Sequence, residues 1–124
     1  MTEPPGYHTV TPRMIVADTR AAVDFLRAVF DAQGDVIEGR PAEMVIGDSR
    51  ILVSDSSERE EFPAFLYIYV QDADKTYARA MAAGAVSMET PRATPYGDRR
   101  AMVRDPAGNI FQIATPTPTS APPS

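Results

Sequence analysis

The segment FLYIYV, Phe65 to Val70, carries an aromatic ring at every second position. Side chains two apart on a strand share a face. Phe65, Tyr67 and Tyr69 therefore form one aromatic stripe, and Leu66, Ile68 and Val70 form an apolar face opposite it. Such a stripe suits stacking on a flat ligand, and it equally suits a core or a dimer interface. The same alternation groups Thr11, Arg13 and Ile15 near the start of the chain, and Arg100, Met102, Ile110 and Gln112 near its end. Arg13 and Arg100 offer planar forks for an anionic group or for ion pairs. Gln112 offers a directional hydrogen bond to a ligand or a structural one. Met102, like Met44, Met81 and Met88, reads as core filler or adaptable pocket wall.

Other chemistries have less to stand on. The chain has no cysteine, so disulfides, thiolate metal sites and thiol nucleophiles are excluded. Its single histidine, His8, lies in an N-terminal arm, and no G-x-S-x-G sequence occurs, which leaves nucleophilic catalysis without support. Glu43, Asp48 and Asp98 lie near expected strands and are candidates for acid–base work, but spacing alone does not choose among them. The acidic run Asp55, Glu58, Glu60 and Glu61 suits a cationic compound or, more simply, a solvated loop.

The elements that must position these residues follow from periodicity. Thr9 to Val16 reads as a strand, and Asp18 is placed to cap the helix TRAAVDFLRAVF, whose Ala22, Val23, Leu26, Val29 and Phe30 recur at three- and four-residue spacing. Strands are expected at 35–38, 42–46 and 50–54, the last two joined by a Gly47-Asp48 hairpin. The polar segment DSSEREEFP is a linker. The second half repeats the order: strand 65–70, an Asp72 cap, a helix over 73–83 with a Tyr77, Ala80 and Met81 stripe ended by Gly84, then strands at 86–88, 99–104 and 110–115. DPAGN turns the last pair, with Pro106 fixing φ and Gly108 supplying a left-handed residue. Val16-Ala17-Asp18 matches Val70-Gln71-Asp72, and Gly47-Asp48 matches Gly108-Asn109, so a duplicated module is the economical explanation. The expectation is one α+β domain over 9–115, with module one at 9–55 and module two at 64–115. A flexible arm at 1–8 precedes it and a disordered proline-rich tail at 116–124 follows.

Bulk composition narrows the partners. The chain has 124 residues, 44% of them hydrophobic and 23% charged, which is ordinary globular usage. No apolar run approaches the ~18 residues needed to cross a bilayer, and the N-terminus lacks the pattern of a secretory signal, so a cytoplasmic protein is expected. The net charge of −5 repels phosphate backbones and anionic lipid, so neither nucleic acid nor a membrane is expected as a partner.

The motifs HTVTPRMIVADTRAAVDFLRAVF, IGDSRILVSD and YGDRRAMVRDPAGNIFQIAT occur in that order between His8 and Thr115. On them the chain resembles the vicinal oxygen chelate superfamily (glyoxalase I, bleomycin-resistance proteins, extradiol dioxygenases), and within it the PhnB-like branch. The resemblance implies two βαβββ modules forming a curved mixed sheet around a cleft, helices on the outer face, and a homodimer. The metal enzymes of that superfamily hold a divalent ion at positions that match Thr11, Leu52 or Val53, Phe65 and Gln112 here. Of these only Gln112 carries a credible donor, since hydrocarbon side chains have no electron pair to give. The resulting expectation is a metal-free, cofactor-free binding protein that sequesters or carries an aromatic or amphipathic compound such as an antibiotic. Its ligand would be held by Arg13, Phe65, Tyr67, Tyr69, Arg100, Met102 and Gln112, with no catalytic residue assigned. The alternatives are a metal-dependent lyase, isomerase or dioxygenase of the glyoxalase I type, and a ligandless interaction module.

Overall fold

A computed structural model describes residues 6–56 and 60–117. The chain divides into two compact units between Ala64 and Phe65. Each combines one helix with a mixed sheet, of three strands in the first unit and four in the second. This is the α+β architecture expected, in the pattern of paired βαβββ modules. Among the described residues no helix is long and apolar enough to cross a membrane.

In the first unit β1 (Arg13–Val16), α1 (Thr19–Phe30), β2 (Ala42–Ile46) and β3 (Ser49–Asp55) give a sheet in the order β1-β3-β2, with β1 parallel and β2 antiparallel to β3. Asp18 has extended backbone and its carboxylate accepts the Ala21 N–H at 3.0 Å, satisfying one of the orphan donors of the helix start. The expected stripe of α1 is buried, with Phe25 added to it. Met14, Val16, Met44, Ile51 and Val53 bury the sheet's inner face.

Two expectations for this unit change. The first strand begins at Arg13 rather than Thr9, because Pro12 has no N–H for the ladder and contributes only its carbonyl, which accepts from Leu52. No strand forms at 35–38. Gln33 instead makes an isolated antiparallel bridge to Val45, and the chain then turns at Gly34, φ +132°. A Cβ on Gly34 would stand 2.3 Å from the Glu43 carbonyl oxygen, so only glycine allows this approach.

The second unit contains β4 (Phe65–Tyr69), α2 (Ala73–Ala82), β5 (Val86–Ala93), β6 (Asp98–Arg104) and β7 (Ile110–Pro116), in the sheet order β4-β7-β6-β5. β4 runs parallel to β7 and the other pairs are antiparallel. Asp72 caps α2 through the Lys75 N–H. The buried stripe of α2 is Ala73, Thr76 and Ala80, not Tyr77, Ala80 and Met81. Small side chains face the sheet, Met81 is exposed, and Tyr77 turns its hydroxyl to Ser87 Oγ at 2.6 Å. β5 extends well past the expected 86–88, with register shifts on either side of Glu89. Its Pro91 is tolerated because β5 is an edge strand.

The DPAGN turn rests on Asp105, which is buried and accepts the N–H groups of Ala107 (3.0 Å) and Asn109 (2.8 Å) and the side-chain amide of Asn109 (3.0 Å). Asp105→Ala strips one acceptor group from three donors, so we expect a loss of about 2–4 kcal/mol in urea unfolding. A variant as stable as the parent would contradict this account of the turn.

Candidate functional site

Strand pairing in the second unit sets the candidate side chains in rows. Tyr67, Gln112 and Met102 pair across β4, β7 and β6, and Glu89 of β5 extends that row. Tyr69, Ala114 and Arg100 form the next row, and Phe65, Ile110 and Arg104 the previous one. All lie on the sheet face opposite the buried layer of Ala101, Val103, Phe111 and Ile113, against which α2 packs. Six of the seven candidate side chains thus share one face of one sheet. Phe65 and Tyr69 are well exposed, and Met102, Gln112 and Arg100 are half-buried.

Asp98 joins this face two residues before Arg100 on β6, and only 8% of its surface is exposed. Its Oδ2 accepts the Tyr67 hydroxyl at 2.6 Å and the Tyr69 hydroxyl at 3.2 Å. β7 lies between β4 and β6, so the two rings must cross it. Ala114 is the small residue beneath that crossing, and it is fully buried although it sits on the open face. The two rings meet edge to face, 5.3 Å between centroids. Tyr96, on the loop before β6, brings its hydroxyl to 3.5 Å from that of Tyr67 and accepts from Arg100 at 2.7 Å. Arg100 also makes a two-pronged contact with Glu89 at 2.9 and 3.2 Å, with both side chains about four-fifths buried. One chain of hydrogen bonds therefore runs from Glu89 through Arg100, Tyr96, Tyr67 and Asp98 to Tyr69.

The electrostatics follow from those contacts. Burial, then the hydrogen bond to Asp98, pushes the Tyr67 hydroxyl far above its ordinary pKa. Tyr69 rises chiefly through its bond to Asp98, and Arg100 rises through its bond to Glu89. Sequence reasoning did not find Tyr96 or Glu89. Tyr96 lies on a loop without periodicity, and Glu89 lies between two register shifts that break the alternation. Asp98 stood only among three undifferentiated carboxylates, although its two-residue spacing from Arg100 already placed it on the same face.

The first unit holds Arg13, exposed on β1, with its Nε donating to Ser54 Oγ at 3.0 Å. Arg13 borders an open, mainly polar groove of about 720 Å³, also lined by Asp18, Arg20, Glu38, Arg40 and Asp55. Glu43 accepts from Tyr7 and from Arg40 (2.9 Å), which holds its carboxyl below the usual range, the Tyr7 bond being the larger cause. His8 is turned to the Asp48 carbonyl at 3.0 Å. Of the acidic run, Glu58 lies outside the described residues, and Glu60 and Glu61 are exposed.

The model of the Glyoxalase/Bleomycin resistance protein/Dioxygenase superfamily matches residues 7–113. The chain belongs to this superfamily. Solved structures with the same fold include TioX from Micromonospora sp. ML1 (TM-score 0.70, 23% identity, covering 86% of this chain and 98% of that one). The fosfomycin resistance protein FosX from Mesorhizobium loti is similar at TM-score 0.68 and 24% identity, covering 90% and 94%. Lactoylglutathione lyase from Agrobacterium tumefaciens is similar at 0.70 and 21%, covering 91% and 96%. No curated protein sequence matches the chain.

Superfamily enzymes that use a divalent ion need several imidazole or carboxylate donors, and the residues here do not fit one. At the positions the resemblance implies, Leu52 or Val53 and Phe65 carry hydrocarbon side chains, and Thr11 and Gln112 supply only neutral oxygens. Among the described residues no three His, Cys, Asp or Glu side chains group as a metal site would require. Of the carboxylates placed on this face, Asp98 is bonded by two tyrosine hydroxyls and Glu89 by Arg100.

The raised tyrosine pKa values give a test. Tyr67 and Tyr69 stay protonated beyond the ordinary value of about 10, so the stability they confer is complete below that pH and is lost as pH climbs toward their folded-state values. Asp98→Asn should bring both hydroxyls down toward the ordinary value, seen as an earlier rise of tyrosinate absorbance in an alkaline titration. Superimposable curves for parent and variant would refute the assignment.

Proposed function

We propose that this chain is a metal-free small-molecule binding protein of the PhnB-like branch, acting in the cytoplasm as a homodimer that sequesters or carries an aromatic or amphipathic compound such as an antibiotic. The observation that carries the reading is the exposed aromatic stripe of β4 fixed by hydroxyl bonds to Asp98, beside Gln112 and Met102 on one open sheet face. Rings held by their hydroxyls lose little further freedom when a ligand stacks on them, which favours binding. Phe65, Tyr67 and Tyr69 supply the stacking surface, Met102 an adaptable apolar wall, and Gln112 an amide for orientation. Arg100 fixes Tyr96. The fold shared with a fosfomycin resistance protein supports a small molecule as the cargo.

A panel of aromatic metabolites and antibiotics, followed by calorimetry and by the chain's own tyrosine fluorescence, should yield saturable binding. Tyr67→Ala should weaken it about tenfold or more while the circular dichroism spectrum is kept. Equal affinity in parent and variant, or no binding by any compound, would count against the proposal.

A further inference from the structure

The charges on this face do not cancel where the tyrosines meet. Glu89 and Arg100 neutralise each other through a two-pronged contact. Arg92, paired with Arg100 in the ladder, turns its guanidinium to the carbonyl and hydroxyl of its own neighbour Thr90, at 3.1 and 3.5 Å. Tyr67 and Tyr69 stay neutral beyond the ordinary tyrosine value. Among the described residues no cation is bonded to the Asp98 carboxylate. Its Oδ2 takes both tyrosine hydroxyls, and among the described residues no donor reaches Oδ1. No fully buried side-chain oxygen or nitrogen among them lacks a partner, so Oδ1 keeps some exposure although Asp98 as a whole is nearly buried.

Tyr67 and Tyr69 bond the other oxygen of Asp98, Tyr96 is joined to them through the Tyr67 hydroxyl and held by Arg100, and Tyr69 and Tyr96 are each 61% exposed. An aromatic face is negative and a carboxylate more so, and together they attract a cation while offering an anion only repulsion. Of the arginines on this face, Arg100, the one bonded into the tyrosine cluster, is already taken by Glu89 and Tyr96, and Arg104 lies two rows away, in the row of Phe65 and Ile110. The chain's net charge of −5 adds a long-range pull in the same direction.

We propose that the ligand of this face carries a cationic nitrogen, an ammonium or quaternary ammonium group, seated against Asp98 Oδ1 and bordered by Tyr67, Tyr69 and Tyr96. This rests on the reading of the face as a small-molecule site and names the chemistry it selects. Glu89 and Arg100 are positioning residues that hold Tyr96, and they do not touch the ligand.

Three probes of one shape separate the two ideas: benzyltrimethylammonium, its uncharged isostere neopentylbenzene, and the anion benzylphosphonate. Titration followed by tyrosine fluorescence should show the cation binding about tenfold or more tighter than the neutral isostere, and the anion weakest. Asp98→Asn should abolish the preference between the cation and the neutral probe. Should that variant fail to fold, Tyr96→Leu, an exposed loop substitution, should cut the preference several-fold instead. Equal binding of cation and neutral isostere, or preference for the phosphonate, overturns the cation proposal and leaves the small-molecule reading in place. No binding by any of the three overturns both.

Discussion

The second unit depends on what happens when a carboxylate is taken out of water. Asp98 is nearly buried, and an ion in that position is tolerated only where donors replace its hydration. Those donors come from two strands away, as the hydroxyls of Tyr67 and Tyr69 on β4. The span across β7 is roughly 10 Å, which a tyrosine side chain lying on the sheet and the aspartate it bonds cover between them. Ala114 leaves room for that crossing. Much of the face follows from this one demand: aromatic residues at alternate positions of β4, a small residue on β7, and an acid at the start of β6.

The loop before β6 answers the same demand. Thr94 and Asp98 are closed on each other by three hydrogen bonds, two of them through the Thr94 hydroxyl, and Gly97 takes a left-handed φ of +96° to allow it. Thr117 then binds the Gly97 carbonyl through both its N–H and its hydroxyl. Tyr96 is carried on this closed loop, so its hydroxyl arrives beside Tyr67 with little freedom left. Glu89 and Arg100 form the far end of the same chain of bonds. In a low-dielectric setting such bonds strengthen one another, and the face they leave is stiff rather than adaptable.

Much of this was legible in the sequence, for identifiable reasons. Two-residue alternation put Tyr67 with Tyr69, Arg100 with Met102, and Ile110 with Gln112, and the ladder pairs those strands side by side. Asp18 and Asp72 announced both helices because a cap has a local signature. The losses came where a long-range contact decides. Tyr96 has no periodicity to read, and Glu89 sits between register shifts that alternation does not anticipate. The stretch 35–38 looked like a strand until Gly34 and its close approach to Glu43 turned the chain. The stripe of α2 was misjudged because large residues were assigned to the sheet side, whereas Ala73, Thr76 and Ala80 allow close approach. Superfamily membership rests on the match of the family model over residues 7–113.

The proposed reading is that a face organised around tyrosine hydroxyls and Asp98 recognises its ligand by stacking, shape and charge, not by coordination to a divalent ion. The most direct test of that claim is elemental analysis by mass spectrometry of the purified protein, before and after exposure to nickel, zinc, manganese and iron followed by dialysis into metal-free buffer. The account predicts that no metal is retained in stoichiometric amount under either condition. One equivalent per chain surviving dialysis would contradict it, since Thr11, Leu52 or Val53, Phe65 and Gln112 could not then be the complete donor set.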